Sequence, residues 1–259
     1  MSAFTFDAAI VRRPGARVID GLRAGGGGSP TFAGVLAEHD AYVAALEAAG
    51  VAVEVLEPLD DYPDAIFVED PALTFPEGAI LLRPGAASRA GEVAALAPAL
   101  RRRFATVLKL PRGHVEGGDV LVTPDRVMVG LSARTDREGA EALLECLAAL
   151  GRHGAIVETP ADVLHFKSDC SMLDDRTVIA TARLAASGVF DGFDVVLVPD
   201  GEEAAANALR VNGVVLAGSG YPRTIELLRS RGFTVVPLPT SEVGKVDAGL
   251  SCMSLRWRR

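Results

Sequence analysis

Cys252 sits in Gly249-Leu250-Ser251-Cys252-Met253-Ser254-Leu255. A lone thiol in a Ser/Gly-rich stretch is either a packing residue or a nucleophile. Cysteine is mostly protonated at neutral pH, with a reference pKa of about 8.5, so a nucleophilic thiol needs a neighbour that handles its proton. His165, in Val163-Leu164-His165-Phe166-Lys167, can hold a thiolate as an ion pair or act as general acid and base. Glu116 can orient the imidazole or hold a cationic substrate. His114, two residues before Glu116, is the rival base. Cys146, in a Leu/Ala-rich helical run, and Cys170, five residues past His165, read as packing thiols.

An acidic patch supplies the next clue: Asp64-Ala65-Ile66-Phe67-Val68-Glu69-Asp70-Pro71. Read as a strand, it puts Asp64 and Asp70 on one face and Glu69 on the other. Glu69 and Asp70 share a pocket only if the chain bends, which Pro71 permits. The plain alternative is a solvated edge with turn acids. Carboxylates beside a thiol raise its pKa and hinder catalysis unless a cation intervenes. A guanidinium is such a cation, planar, always charged and matched to carboxylates. Arg83 and Arg134 repeat too, each following the second strand of a strand–turn–strand unit. Gly117-Gly118-Asp119 lacks the pattern of a phosphate loop, and its glycines read as sites of close backbone approach.

Composition narrows the class. The chain has 259 residues, 49% hydrophobic, with a formal net charge of −8. That balance excludes a basic nucleic-acid face. Three cysteines without metal-ligand spacing suggest free thiols in a reducing compartment. There is no basic segment followed by an apolar run at the N-terminus, and no apolar stretch of membrane-spanning length. The expectation is a cytoplasmic protein, monomer or homodimer, with a small-molecule partner and no metal or organic cofactor.

The elements that must position these residues form a repeat. Short apolar strands end in Pro58, Pro111, Pro160, Pro199 and Pro239, at spacings of 53, 49, 39 and 40. Each proline is followed by a strand, a turn (Pro76-Glu77-Gly78, Pro124-Asp125, Asp174-Asp175 or Asn212-Gly213), a second strand and then a helix such as 139–150 or 223–231. Gly151 and Gly232 read as helix stops. The fifth unit ends after the strand around Cys252, and its missing strand and helix lie at 8–12 and 33–49. The termini therefore pair and close a ring of five strand–hairpin–helix units. In such a ring Asp64, Glu116, His165 and Cys252 occupy equivalent axial stations. Gly25–Gly28 read as a surface loop or a mobile lid.

The segments PDAIFVEDPAL, LLRPGAASR, VEGGDVLV, VGLSARTD, LHFKSDCSM and KVDAGLSCMSLR occur in this order and resemble the dimethylarginine dimethylaminohydrolase family of guanidino-group-modifying penteins. The resemblance covers nearly the whole chain. It implies an α/β fold, a five-fold pseudosymmetric propeller, in one catalytic domain over residues 1–259. It implies Cys252 as nucleophile, His165 as acid and base, and Glu116 in the third catalytic position. Leu22, Asp64, Glu69, Asp70, Arg83 and Arg134 match its substrate-binding positions. The implied reaction is hydrolysis of Nω-methylated L-arginine to L-citrulline and an alkylamine through a Cys-bound S-alkylthiouronium. Deimination of arginine, hydrolysis of another guanidine, and a propeller that binds guanidinium without turnover are the alternatives.

Overall fold

The computed structural model describes residues 4–23, 28–160 and 163–259. Gly25–Gly27 of the glycine-rich segment lie outside the described residues.

The chain opens with β1 (Ala8–Arg12), α1 (Phe32–Ala48) and β2 (Ala52–Leu56), with β1 and β2 parallel. Thr31 caps α1 by accepting the Gly34 N–H at 3.1 Å. Four units of one plan follow. The first is β3 (Ala72–Phe75), β4 (Gly78–Leu81), α2 (Glu92–Arg103) and β5 (Val107–Lys109). The second is β6 (Val120–Val122), β7 (Val127–Leu131), α3 (Arg137–Ala149) and β8 (Gly154–Glu158). The third is β9 (Cys170–Met172), β10 (Thr177–Ala180), α4 (Ala182–Ala185) and β11 (Asp194–Leu197). The fourth is β12 (Leu209–Val211), β13 (Val214–Gly218), α5 (Pro222–Ser230) and β14 (Val235–Leu238). The last strand, β15 (Leu255–Trp257), pairs antiparallel with β1 and closes the ring.

The described residues thus form five three-stranded sheets, β15-β1-β2, β3-β4-β5, β6-β7-β8, β9-β10-β11 and β12-β13-β14. Each combines an antiparallel pair with a parallel strand that returns over a helix, the connection a parallel neighbour requires. The middle strands read as near-continuous apolar runs because both faces are covered, as in Ala8–Arg12 and Gly78–Leu81, where every residue is buried. The hairpin turns fall where turn chemistry puts them. Val211 pairs with Val214 across Asn212-Gly213, and Asn212 takes φ +50°, as the two-residue turn demands. Gly151 and Gly232 follow α3 and α5 at φ +72° and +88°. The third unit departs from the repeat, because α4 has only four residues.

One feature differs from the strand reading and matters for the site. Residues 64–71 form successive turns: Phe67 N–H donates to Asp64 O at 2.9 Å and Asp70 N–H to Phe67 O at 3.4 Å. His165 and Cys252 are likewise not on strands. Glu116 precedes the 3₁₀ turn Gly117–Asp119, His165 precedes Phe166–Ser168, and Cys252 lies within Leu250–Met253. The axial stations are the tight turns that feed the first strand of each unit. A turn redirects a side chain without the alternation of a strand.

Candidate active site

Three of these turns converge on a cavity of about 140 Å³, lined by Asp64, Asp70, His165 and Cys252 together with Arg134 and Leu22. Close approach across the axis requires glycine. A Cβ on Gly118 would lie 2.9 Å from His165 Cγ and 3.2 Å from Asp70 Oδ1, and one on Gly117 would lie 2.0 Å from the Glu69 carbonyl oxygen.

His165 Nε2 meets Glu116 Oε2 at 2.8 Å. Glu116 is 1% exposed, and its other oxygen accepts the Ala86 N–H at 3.1 Å. Burial alone would lower the His165 pKa; the Glu116 hydrogen bond, then the charges of Asp70 and Asp119, override it and push the imidazole up to about 9. Glu116 is not among the residues lining the cavity, so its geometry suits orientation of His165 rather than contact with a ligand.

Cys252 keeps part of its surface accessible, whereas Cys146 and Cys170 are buried; all three are free thiols. Its carbonyl accepts the Glu69 N–H at 3.1 Å, and the Ser251 hydroxyl lies 4.0 Å from its sulfur. Burial first, then Asp70 and Glu69, raise the thiol to about 12. The resting site therefore holds a neutral thiol beside an imidazolium. A further cation among the carboxylates would favour the thiolate.

Asp70 Oδ1 accepts the Gly118 N–H at 3.0 Å, and Asp70 Oδ2 is ion-paired with Arg89. Burial would raise the Asp70 carboxyl; Arg89 and then His165 hold it below the usual range. Asp64 Oδ1 accepts the Leu22 N–H at 2.9 Å, and burial, opposed by Arg89, raises its carboxyl. Asp70, Glu116 and His165 bring potential metal-ligand atoms within 4.8 Å of one another. Two of these groups already have partners, Asp70 Oδ2 on Arg89 and His165 Nε2 on Glu116 Oε2.

Two expected binding residues lie elsewhere. The turn at 67–71 aims Glu69 away from Asp70. Its carboxylate meets Lys167 Nζ at 2.5 Å, Arg256 Nη2 at 3.2 Å and the Ser251 hydroxyl at 3.1 Å, at a separate cavity of about 540 Å³. Arg83 is exposed, pairs with Val115 in an isolated antiparallel bridge outside the five sheets, and lines neither cavity.

Of the two arginines in LLRPGAASR, the one that lines the site is Arg89, at the far end of the motif. It is 4% exposed. Its donors reach Asp70, both Glu92 oxygens at 2.7 to 3.2 Å, and the Asp64 and Phe67 carbonyls at 3.2 and 2.9 Å. No spacing separates it from Arg83; only the neighbouring Glu92 hints at a buried pair. Arg134, as expected, lines the cavity, its Nη1 3.8 Å from Glu116 Oε1. Asn207, in the fourth unit, also escaped the sequence reading. Its amide holds the Ser251 N–H at 3.0 Å and donates to Lys167 O at 2.9 Å. His114 is exposed, paired with Asp136 at 3.1 Å, and outside the cavity.

The family model for arginine deiminase matches residues 55–198. N(G),N(G)-dimethylarginine dimethylaminohydrolase of Pseudomonas aeruginosa is 37% identical over 96% of this chain and 98% of its own length. The Streptomyces coelicolor protein of the same name is 35% identical over 96% of each chain. A solved structure of the Pseudomonas protein, a cysteine-to-serine variant complexed with citrulline, superposes with a TM-score of 0.95 at 36% identity, over 98% of this chain and 100% of that one. The turn-borne thiol, the five closed sheets and relatives that match end to end agree: the chain belongs to the dimethylarginine dimethylaminohydrolase family of the pentein superfamily.

Proposed function

We infer that this chain hydrolyses Nω-methylated L-arginine to L-citrulline and methylamine or dimethylamine, as one catalytic domain. The observation that carries the reading is the convergence of Cys252, His165, Asp64, Asp70 and Arg134 on one small cavity. In support, the Pseudomonas and Streptomyces relatives are named for this activity, and a solved relative holds citrulline.

The guanidinium enters between Asp64 and Asp70, and Arg134 takes the α-carboxylate. The incoming positive charge offsets the carboxylates that hold Cys252 protonated, so the thiol releases its proton to solvent. The thiolate attacks the guanidinium carbon and forms a C–S bond. The imidazolium of His165 protonates the departing alkylamine as its C–N bond breaks, leaving an S-alkylthiouronium. Neutral His165 then takes a proton from water as the hydroxyl adds to that carbon. The C–S bond breaks, the proton of the added hydroxyl passes to the Cys252 sulfur, and citrulline leaves the neutral thiol and imidazolium of the resting site. Glu116 fixes the imidazole orientation, and Arg89 holds Asp70 in place. Glu69 and Arg83 make no contact with substrate in this account.

Arginine deimination is the second reading, favoured by the family model over residues 55–198. Citrulline release from arginine, monomethylarginine and both dimethylarginines, measured in parallel, separates the two. The proposal expects kcat/KM for a methylated arginine to exceed that for arginine by at least about tenfold. Release from arginine alone overturns it in favour of deimination.

A further inference from the structure

Asp119 ends the turn that begins after Glu116, is 0% exposed, and has no part in the reaction steps above. Its two oxygens accept three hydrogen bonds from two separate segments. Oδ1 accepts the backbone N–H of Phe166, the residue after His165, at 2.9 Å. Oδ2 accepts the Thr135 hydroxyl at 2.6 Å and the Ser132 hydroxyl at 2.7 Å. Those hydroxyls carry the contact onward. Thr135 Oγ1 accepts the Glu116 N–H at 3.2 Å, and Ser132 Oγ accepts the Arg134 N–H at 2.9 Å. One buried carboxylate therefore ties together the backbones that present His165, Glu116 and Arg134.

We propose that Asp119 is a positioning residue for the hydrolysis, locking the His165 backbone against Glu116 and supplying negative charge behind the imidazole. This rests on the role given to His165 above. A fully buried carboxylate is costly to retain as mere packing. Burial raises its carboxyl above the usual range, opposed by the charge of His165 and by the three donors that converge on it. The second oxygen fixes the Ser132–Thr135 turn, so the imidazole and the Arg134 that would hold the α-carboxylate share one anchor. The groups that act on His165 are Glu116 through its hydrogen bond and Asp70 and Asp119 through charge; Cys252, Arg89 and Arg134 line the same cavity. Asp119, like Glu116, lines neither cavity, so its substitution leaves the substrate's own contacts in place.

The test compares Asp119→Asn and Asp119→Glu with wild type. The His165 ring titration is followed by NMR without substrate, and kcat and KM are followed with dimethylarginine. Asp119→Asn should lower the His165 pKa by at least about half a unit and lower kcat at least about tenfold, with KM changed less than about threefold. Asp119→Glu keeps the charge and misplaces the bonds, so kcat should fall while the His165 pKa stays within about 0.3 unit. Should Asp119→Asn not fold, Thr135→Val removes one bond and the link to Glu116, and should lower kcat about threefold or more with KM unchanged. A His165 titration and kcat like wild type in the folded Asp119→Asn protein overturn the proposal. So does a kcat loss that matches the unfolded fraction without a shift in His165. The NMR titration needs no substrate, so its result stands even if the assignment of the reaction fails.

Discussion

The protonation state of Cys252 yields the sharpest quantitative expectation. Its thiol is pushed up to about 12, by burial first and then by Asp70 and Glu69. At pH 8 the thiolate fraction is then about 10⁻⁴, and forming it costs about 5 kcal/mol at 1.36 kcal/mol per unit. A neutral reagent such as iodoacetamide must wait for that fraction. Its second-order rate should climb about tenfold per pH unit from 7 to 10 without a plateau. A cationic haloacetamidine brings its own charge between Asp64 and Asp70. Opposite charges about 4 Å apart attract by about 4 kcal/mol at an effective dielectric constant near 20. If half of that reaches the thiol, the amidine gains about 30-fold. The assay is the alkylation rate of each reagent against pH, divided by its rate with a small free thiol. The amidine should show at least about a 30-fold preference at pH 8, and Asp70→Asn should reduce that preference while speeding iodoacetamide. An iodoacetamide rate that levels off below about pH 8, with equal normalised rates for the two reagents, would refute the reasoning.

Three further outcomes follow from the geometry. Arg134→Ala should raise KM by about 1.5–3 kcal/mol of lost charge-assisted binding, and a substrate without the α-carboxylate should not notice the change; Arg83→Ala, at an exposed position outside the cavity, should leave KM within about twofold, and steady-state kinetics on both substrates check this. Arg89→Met should lower unfolding stability by about 3–5 kcal/mol in urea, because it leaves Asp70 and Glu92 buried without their cation; a loss below about 1 kcal/mol contradicts the buried-network reading. His165 is raised to about 9 in the folded chain, so its stabilising contribution is fully present below about pH 6.5 and is lost as pH rises through about 9; the stability gap between wild type and His165→Asn should therefore shrink by up to about 3 kcal/mol from pH 6 to pH 10, and a gap that grows contradicts the sign.

Ring closure was legible in the sequence because it is written in local patterns. Apolar strands before prolines, Asn212-Gly213 and the glycines after α3 and α5 each report a backbone need, and the orphan half-unit at 8–49 matched the lone strand just after Cys252. Alternation placed Glu69 opposite Asp70, but as a strand where the chain makes turns. A turn and a strand can put the same residue on the same side, so the side was right for the wrong reason. Arg83 and Arg89 share one motif, and only the packing of Glu92 and Asp70 around Arg89 tells them apart. Asn207 and Asp119 act through hydrogen bonds to backbone groups 44 and 47 residues away. Such partners leave no periodic trace in a single sequence.

The most direct test of the central claim, that Cys252 is the nucleophile and His165 its acid and base, is the mass of His165→Gly after mixing with dimethylarginine and an acid quench. Alkylamine can leave already protonated from a guanidinium, whereas water without a base attacks the thiouronium slowly. The account predicts a species heavier by the substrate minus dimethylamine, mapped by digestion to Cys252. An adduct on Cys146 or Cys170, or turnover near wild type with no adduct, would contradict it.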